Sequence, residues 1–181
     1  MNTPPPNHQR EPAKVKASVY ADGTLRAQII DGLNIKRLRP VEDHRGHIVE
    51  MFSEAWGMTQ HSVPYAYHVT LRSGSIRAWL VHKEQEDRIF ISRGTLLWAF
   101  FDDRVDSKTR NLLNVFTFSE ENRALFIIPP GVYHGVKNIG EQASVFINMP
   151  SKPYNHSDPD KYRLPLKNDL IPFDFDEPPL A

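Results

Sequence analysis

Between residues 45 and 150 the chain offers no stretch in which a long helix could form. Its apolar residues come in short runs: "HIVEMF", "YAYHVTL", "SIRAWLVH", "RIFISRG", "TLLWAFFDD", "NVFTFS", "ALFIIPP" and "SVFINMP". Each run is rich in Val, Ile, Phe, Tyr, Trp or Thr, which suit a pleated, half-buried surface. Gly, Pro, Asp, Asn and Ser separate the runs. No segment here repeats its apolar residues every 3.6 positions over a useful length. Many short strands with closely spaced turns predict an all-β sandwich or barrel. "TLLWAFF" is apolar on both alternations, with Leu96, Trp98 and Phe100 facing one way and Leu97, Ala99 and Phe101 the other. Such a strand is covered on both faces, inside a sandwich or at a subunit contact. "DRVDSKTRN" reads as an exposed loop, "SEEN" as a turn, and "DPDKYRLPL" as room for one helical turn.

With 181 residues, 40% of them hydrophobic, the chain fits one domain with a sizeable core. Residues 1–24 read as a flexible N-terminal arm, 25–176 as the domain and 177–181 as a tail. The closing "DFDEPPLA" has the same mobile character as the arm. Lys plus Arg and Asp plus Glu both number 22, so the formal charge is zero. That balance argues against nucleic acid as a partner but leaves room for a local basic pocket. The absence of cysteine removes disulfide and thiolate chemistry and suits the cytoplasm. No apolar run nears the roughly 18–20 residues that span a bilayer. "MNTPPPNHQREPAK" has no apolar core of a secretory signal. The expectation is a soluble cytoplasmic protein with no membrane partner.

Two stretches carry the histidines that matter. "GSIRAWLVHKEQEDR" holds Gly74, Leu80, His82 and Glu86, with Gly94 beyond it; "PPGVYHGVKN" holds Pro129, Gly131, His134 and Asn138. Together they resemble the two signature motifs of the cupin superfamily, which implies a jelly roll, or double-stranded β-helix. In the first motif the leading histidine is replaced by Leu80. A closer resemblance covers about residues 30–176. "DHRGHIVEMF", the loop through Asp102, Arg104, Ser107 and Thr109, and "FSEENRALFIIPPGVYHGV" are similar to motifs of the dTDP-4-dehydrorhamnose 3,5-epimerases.

That resemblance implies proton chemistry beside a sugar ketone. Such chemistry needs a base, a donor to the enolate oxygen, and an acid on the opposite ring face. The family's base position holds Leu80, its lysine position Asp87, and its acid tyrosine position Asn148. The resemblance implies a substrate-binding set of Arg45, Glu50, Arg77 and His134. Asp169 is a loose match to the carboxylate that orients the family's histidine. The expected catalytic candidates are His82, His134 and Asp87, in an atypical epimerase or isomerase or a catalytically impaired homologue of carbohydrate metabolism. Tyr65, Tyr67, Trp79 and Trp98 are candidates for stacking on a base or sugar, although Trp98 reads better as core.

The family implies a dTDP-sugar ligand, a homodimer and no cofactor. Two alternatives stand beside it. One is a nucleotide-sugar-binding module without turnover. The other is a metal-dependent cupin holding a divalent ion on His82, Glu86 and His134, since two imidazoles and a carboxylate leave open positions for substrate.

Overall fold

The computed structural model describes residues 17, 21 and 26–177. Most of the expected arm and residues 178–181 therefore lie outside the described residues. In chain order the strands are β1 (Asn34–Arg37), β2 (Val41–Asp43), β3 (Gly46–Ile48), β4 (Tyr67–Leu71), β5 (Ile76–Val81) and β6 (Asp87–Arg93), then β7 (Thr95–Asp102), β8 (Leu113–Ser119), β9 (Ala124–Ile128), β10 (Val132–Asn138), β11 (Ser144–Asn148) and β12 (Tyr162–Arg163). One five-stranded sheet runs β1-β9-β6-β11-β4 and the other β12-β5-β10-β7-β8, while β2 and β3 form a separate hairpin. The two sheets enclose the core as the expected jelly roll. No helix among the described residues is long and apolar enough to cross a membrane.

A period of two sorts the side chains. Leu96, Trp98 and Phe100 of β7 join Ile89, Ile91, Phe126, Val136 and Phe146 in the core between the sheets. Trp98 packs edge-on against Phe126 at 5.0 Å and Phe146 at 5.2 Å between ring centroids. The other face of β7 is also buried, and its cover comes from the same chain. Leu97, Ala99 and Phe101 pack with Trp79, Ile171, Phe173 and Phe175. Phe175 is 1% exposed, so the mobility expected of "DFDEPPLA" does not hold at its aromatic anchor. Gly135 permits this close approach: a β-carbon there would lie 2.6 Å from Ala78 Cβ and 2.9 Å from Phe175 Cζ. The outer face of the first sheet is covered in turn by Val49, Phe52, Trp56, Met58 and Val63 over Phe90, Leu125 and Met149.

"SEEN" is a turn and "DRVDSKTRN" a loop between β7 and β8, as expected. The loop is wound around one buried carboxylate. Asp102 accepts from Arg104 Nε at 2.8 Å, Ser107 Oγ at 2.5 Å and Thr109 Oγ1 at 2.6 Å. Those donors hold the Asp102 carboxyl far below the usual carboxylate range against the opposing effect of burial. The family-like motif Asp102, Arg104, Ser107, Thr109 is thus a clamp that also holds the distant Asp31 backbone, through Arg104 to its carbonyl and through Thr109 Oγ1 from its N–H. "DPDKYRLPL" contains no helical turn. It holds β12, which adds to the edge of β5 with Tyr162 opposite Val81 and Arg163 opposite Leu80.

Candidate active site

Between the sheets, at one end of the barrel, lie two adjoining chambers. The inner one, about 100 Å³, is lined by Arg77, Asp87, His134, Asn148 and Arg163, among others. The outer one, about 270 Å³, is lined by Tyr65, His82, Gln85, Tyr154 and Asp160, among others. Tyr67, Leu80 and Lys161 line both.

Strand register builds the floor. His134 stands opposite Leu80 across the β10–β5 pair. Gly131, at φ +79, turns the chain into β10, and its N–H donates to His82 O at 2.7 Å, tying the two histidine-bearing segments together. Asp160 fixes the other side of His82. Its carboxylate accepts from Lys83 N and Glu84 N at 2.8 Å and Gln85 N at 2.9 Å. Its backbone carbonyl accepts from His82 Nδ1. The same cap delivers Lys161 to the chambers.

His82, Asp87 and His134 meet at this floor. His82 Nε2 lies 3.3 Å and His134 Nε2 3.7 Å from Asp87 Oδ2. Gln85 Nε2 donates to Asp87 Oδ1 at 2.7 Å. Burial alone would push the Asp87 pKa up, but the hydrogen bond and charge of His82 win and hold it at about 2. Burial likewise pulls His82 down, yet its hydrogen bond to Asp87 and the charges of Asp87 and Asp160 leave it raised. Burial dominates at His134, whose pKa falls to about 4. At neutral pH the floor sets the charged Asp87 carboxylate between a His82 imidazole whose protonation it favours and a neutral His134 imidazole. The His134 Nδ1–H is directed at Val132 O, 3.2 Å away, which leaves the lone pair on Nε2 inside the cavity.

Glu86 does not join this cluster. Ile89 and Ile91 of β6 face the inner core while Phe90 faces outward, so alternation turns Asp87 in and Arg88 out. Glu86 lies outside with Arg88, accepting from Arg88 Nε at 3.0 Å and Thr59 Oγ1 at 2.8 Å. The expected metal set of His82, Glu86 and His134 is therefore corrected. The three groups whose ligand atoms lie within 4.8 Å of one another are His82, Asp87 and His134.

Arg45 and Glu50 do not line either chamber. Arg45 sits in the β2–β3 turn with its side chain 78% exposed, paired to Asp43 at 2.5 Å. Glu50 is exposed beyond the same hairpin. Asp169 is exposed as well, and the carboxylate that stands beside His82 and His134 is Asp87. Trp79 lies in the outer cluster with its Nε1 donating to Leu166 O at 3.3 Å, unsuited to stacking on a ligand.

Arg77 does line the inner chamber, joined there by Lys161 and Arg163. These three make no side-chain hydrogen bond or ion pair among the described residues. Burial, then the charges of Arg163 and Arg77, lower the Lys161 pKa against the pull of Asp87. The alternation Lys161-Tyr162-Arg163 was the available signal for this cationic edge, and reading the segment as helical hid it. Asn148 Nδ2 donates to the Tyr67 hydroxyl at 2.9 Å. Burial and the Asp87 charge keep Tyr67 protonated, its pKa pushed up to about 12.

Residues 27–169 match the family model for dTDP-4-dehydrorhamnose 3,5-epimerase. A probable low-salt glycan biosynthesis epimerase of Haloferax volcanii, Agl13, is 34% identical over 137 residues, 75% of this chain and 88% of the relative. A solved dTDP sugar isomerase from Desulfovibrio desulfuricans G20 superposes with a TM-score of 0.75 at 21% identity, covering 83% of this chain and 96% of that one. The dTDP-6-deoxy-D-glucose-3,5-epimerase of Legionella pneumophila, solved with dTDP-4-keto-L-rhamnose, gives a TM-score of 0.72 at 20% identity, covering 86% and 82%. At these identities the two structures establish a shared fold.

Proposed function

The chain belongs to the dTDP-4-dehydrorhamnose 3,5-epimerase family, and on that premise we propose that it binds a nucleotide-linked keto sugar and epimerises it with a displaced base. The observation that carries this reading is the register pair His134–Leu80. Directly opposed residues on adjacent strands bring their β-carbons within about 4.5–5.5 Å. The imidazole missing at Leu80 therefore has a neutral counterpart one strand away. His134 Nε2 takes the proton from the carbon beside the ketone, and the imidazolium that forms lies against Asp87. The His82–Asp87 pair keeps that carboxylate charged and fixed. Lys161 supplies positive charge toward the enolate oxygen, the task of the lysine that Asp87 replaces. Arg77 and Arg163 grip the diphosphate, for which guanidinium forks are well shaped.

The assembly in this reading is a cytoplasmic homodimer. Its support is the β2–β3 hairpin, where Val41 is 76% and Ile48 75% exposed side by side across the strand pair. A second copy seated there would bring Arg45 and Glu50 toward its own chambers and reconcile their position with the pocket role the family resemblance gives them.

The test is proton exchange in heavy water with dTDP-4-keto-6-deoxyglucose and related keto sugars. Deuterium entering beside the ketone is the expected result. If dTDP-sugars raise the melting temperature but no exchange occurs on any of them, the chain is a binding module and the epimerase reading is wrong.

A second reading is favoured by one observation: both histidines direct Nδ1–H to a backbone carbonyl, as metal-binding imidazoles do. His82, Asp87 and His134 suit a divalent ion as two imidazoles and a carboxylate. Elemental analysis of untagged protein purified without chelators tests it. Stoichiometric metal lost in His82→Ala supports it, and metal-free protein that exchanges deuterium removes it.

A further inference from the structure

Epimerisation needs a proton delivered to the face of the enolate opposite the base, and the family's donor position here is the amide Asn148. We infer that Tyr67 is the proton donor on that face, an inference that rests on the epimerase reading above. Three observations lead to it.

The first is register. Tyr67 stands directly opposite Asn148 across the β4–β11 pair. A phenol is thus present one strand from where the family carries one, just as His134 stands one strand from Leu80. The second is hydrogen bonding. Arg88 N donates to Asn148 Oδ1 at 3.3 Å, which orients the amide so that Nδ2 faces Tyr67. Asn148 occupies a lone pair of the Tyr67 oxygen and leaves its hydrogen free for a ligand. Among the described residues the hydroxyl makes no other hydrogen bond. The third is placement. Tyr67 belongs to the first sheet and His134 to the second, and both line the inner chamber. A sugar ring held between the sheets would meet the imidazole on one face and the phenol on the other.

The step balances without a redox partner. The base takes the proton beside the ketone, and the C–H electron pair moves to the ketone oxygen as an enolate. The Tyr67 O–H bond then breaks, a new C–H bond forms on the opposite face, and the enolate returns to ketone. The phenolate left behind keeps the Asn148 Nδ2 hydrogen bond. Tyr67 is 39% exposed, so water can return its proton and the base can release the one it took. One carbon is inverted and nothing is oxidised.

Tyr67→Phe in heavy water tests this, because removing the opposite-face donor should separate proton exchange from inversion. The substrate is whichever keto sugar nucleotide the unaltered protein accepts. The expected variant washes deuterium into recovered substrate and keeps its thermal response to dTDP. It forms the epimer at least about 100-fold more slowly, the scale of a lost general acid. Inversion at the unaltered rate in Tyr67→Phe overturns the inference and leaves the epimerase reading standing. Loss of exchange, inversion and dTDP response together also overturns it, by making Tyr67 a binding residue. An unaltered protein that neither exchanges nor inverts overturns the epimerase reading and this inference with it.

Discussion

Position 80 holds a leucine where the family resemblance implies an imidazole, and position 148 an asparagine where it implies a phenol; a histidine and a tyrosine stand opposite them on the neighbouring strands. Spacing in the sequence pointed to those two positions but not to the groups opposite them, since register between distant strands is not written in local order. Spacing also failed to separate Glu86 from Asp87 as the histidines' partner. In a strand a one-residue shift reverses the face. Only the packing of Ile89, Ile91 and Phe90 fixes which carboxylate turns inward. Asp87→Asn should therefore abolish deuterium exchange, whereas Glu86→Gln should retain it; the opposite pattern would place the wrong carboxylate at the floor. His134 also makes a pH prediction. It binds its proton near 6.5 when unfolded but only at about 4 when folded. Between those values the unfolded chain holds more protons, so stability must fall as pH falls. His82, being raised, contributes its pH dependence above about 6.5 instead. Urea melts across pH 4–6.5 should be flatter for His134→Gln than for the unaltered protein, by up to about 1.4 kcal/mol per pH unit. Superimposable profiles would contradict the buried neutral imidazole.

Among the elements, the interior strands were the most legible. The two-sided apolarity of β7 announced that both its faces are covered, but not by what. The cover is the segment through Ile171, Phe173 and Phe175, whose Pro and Asp neighbours gave it the look of a loose tail. Its length carries too little periodicity to reveal a packing role. Phe175→Ala should cost about 3–5 kcal/mol, the range for a large buried aromatic, measurable by chemical denaturation. A change under about 1 kcal/mol would mean that the segment contributes little. The β12 edge was missed for a related reason: two residues of strand give no pattern to read. Its position follows from Asp160, which caps the turn at residues 83–85 and so sets both His82 and Lys161.

For the whole molecule, a formal charge of zero conceals an uneven distribution. Arg77, Lys161 and Arg163 gather at the inner chamber while Asp87 lies below them. The jelly roll was legible from the strand runs and the Pro129–Asn138 motif together. The cationic edge was not, because it joins β5 to a strand some eighty residues later. Arg45 marks the limit of a single chain: it belongs to the pocket by family resemblance and to an exposed hairpin by structure. Light scattering should find a homodimer, and Arg45→Ala should weaken dTDP-sugar binding although Arg45 touches neither chamber of its own subunit. A monomer with unaltered affinity in that variant would oppose this assignment.

The central claim is that proton chemistry survives the loss of the histidine at Leu80 because His134 performs it. The most direct measurement is the rate of deuterium entry beside the ketone, compared between the unaltered protein and His134→Gln at saturating keto sugar. A fall of at least about 100-fold, with dTDP binding preserved, is the predicted result. Equal rates in the two proteins would contradict the claim.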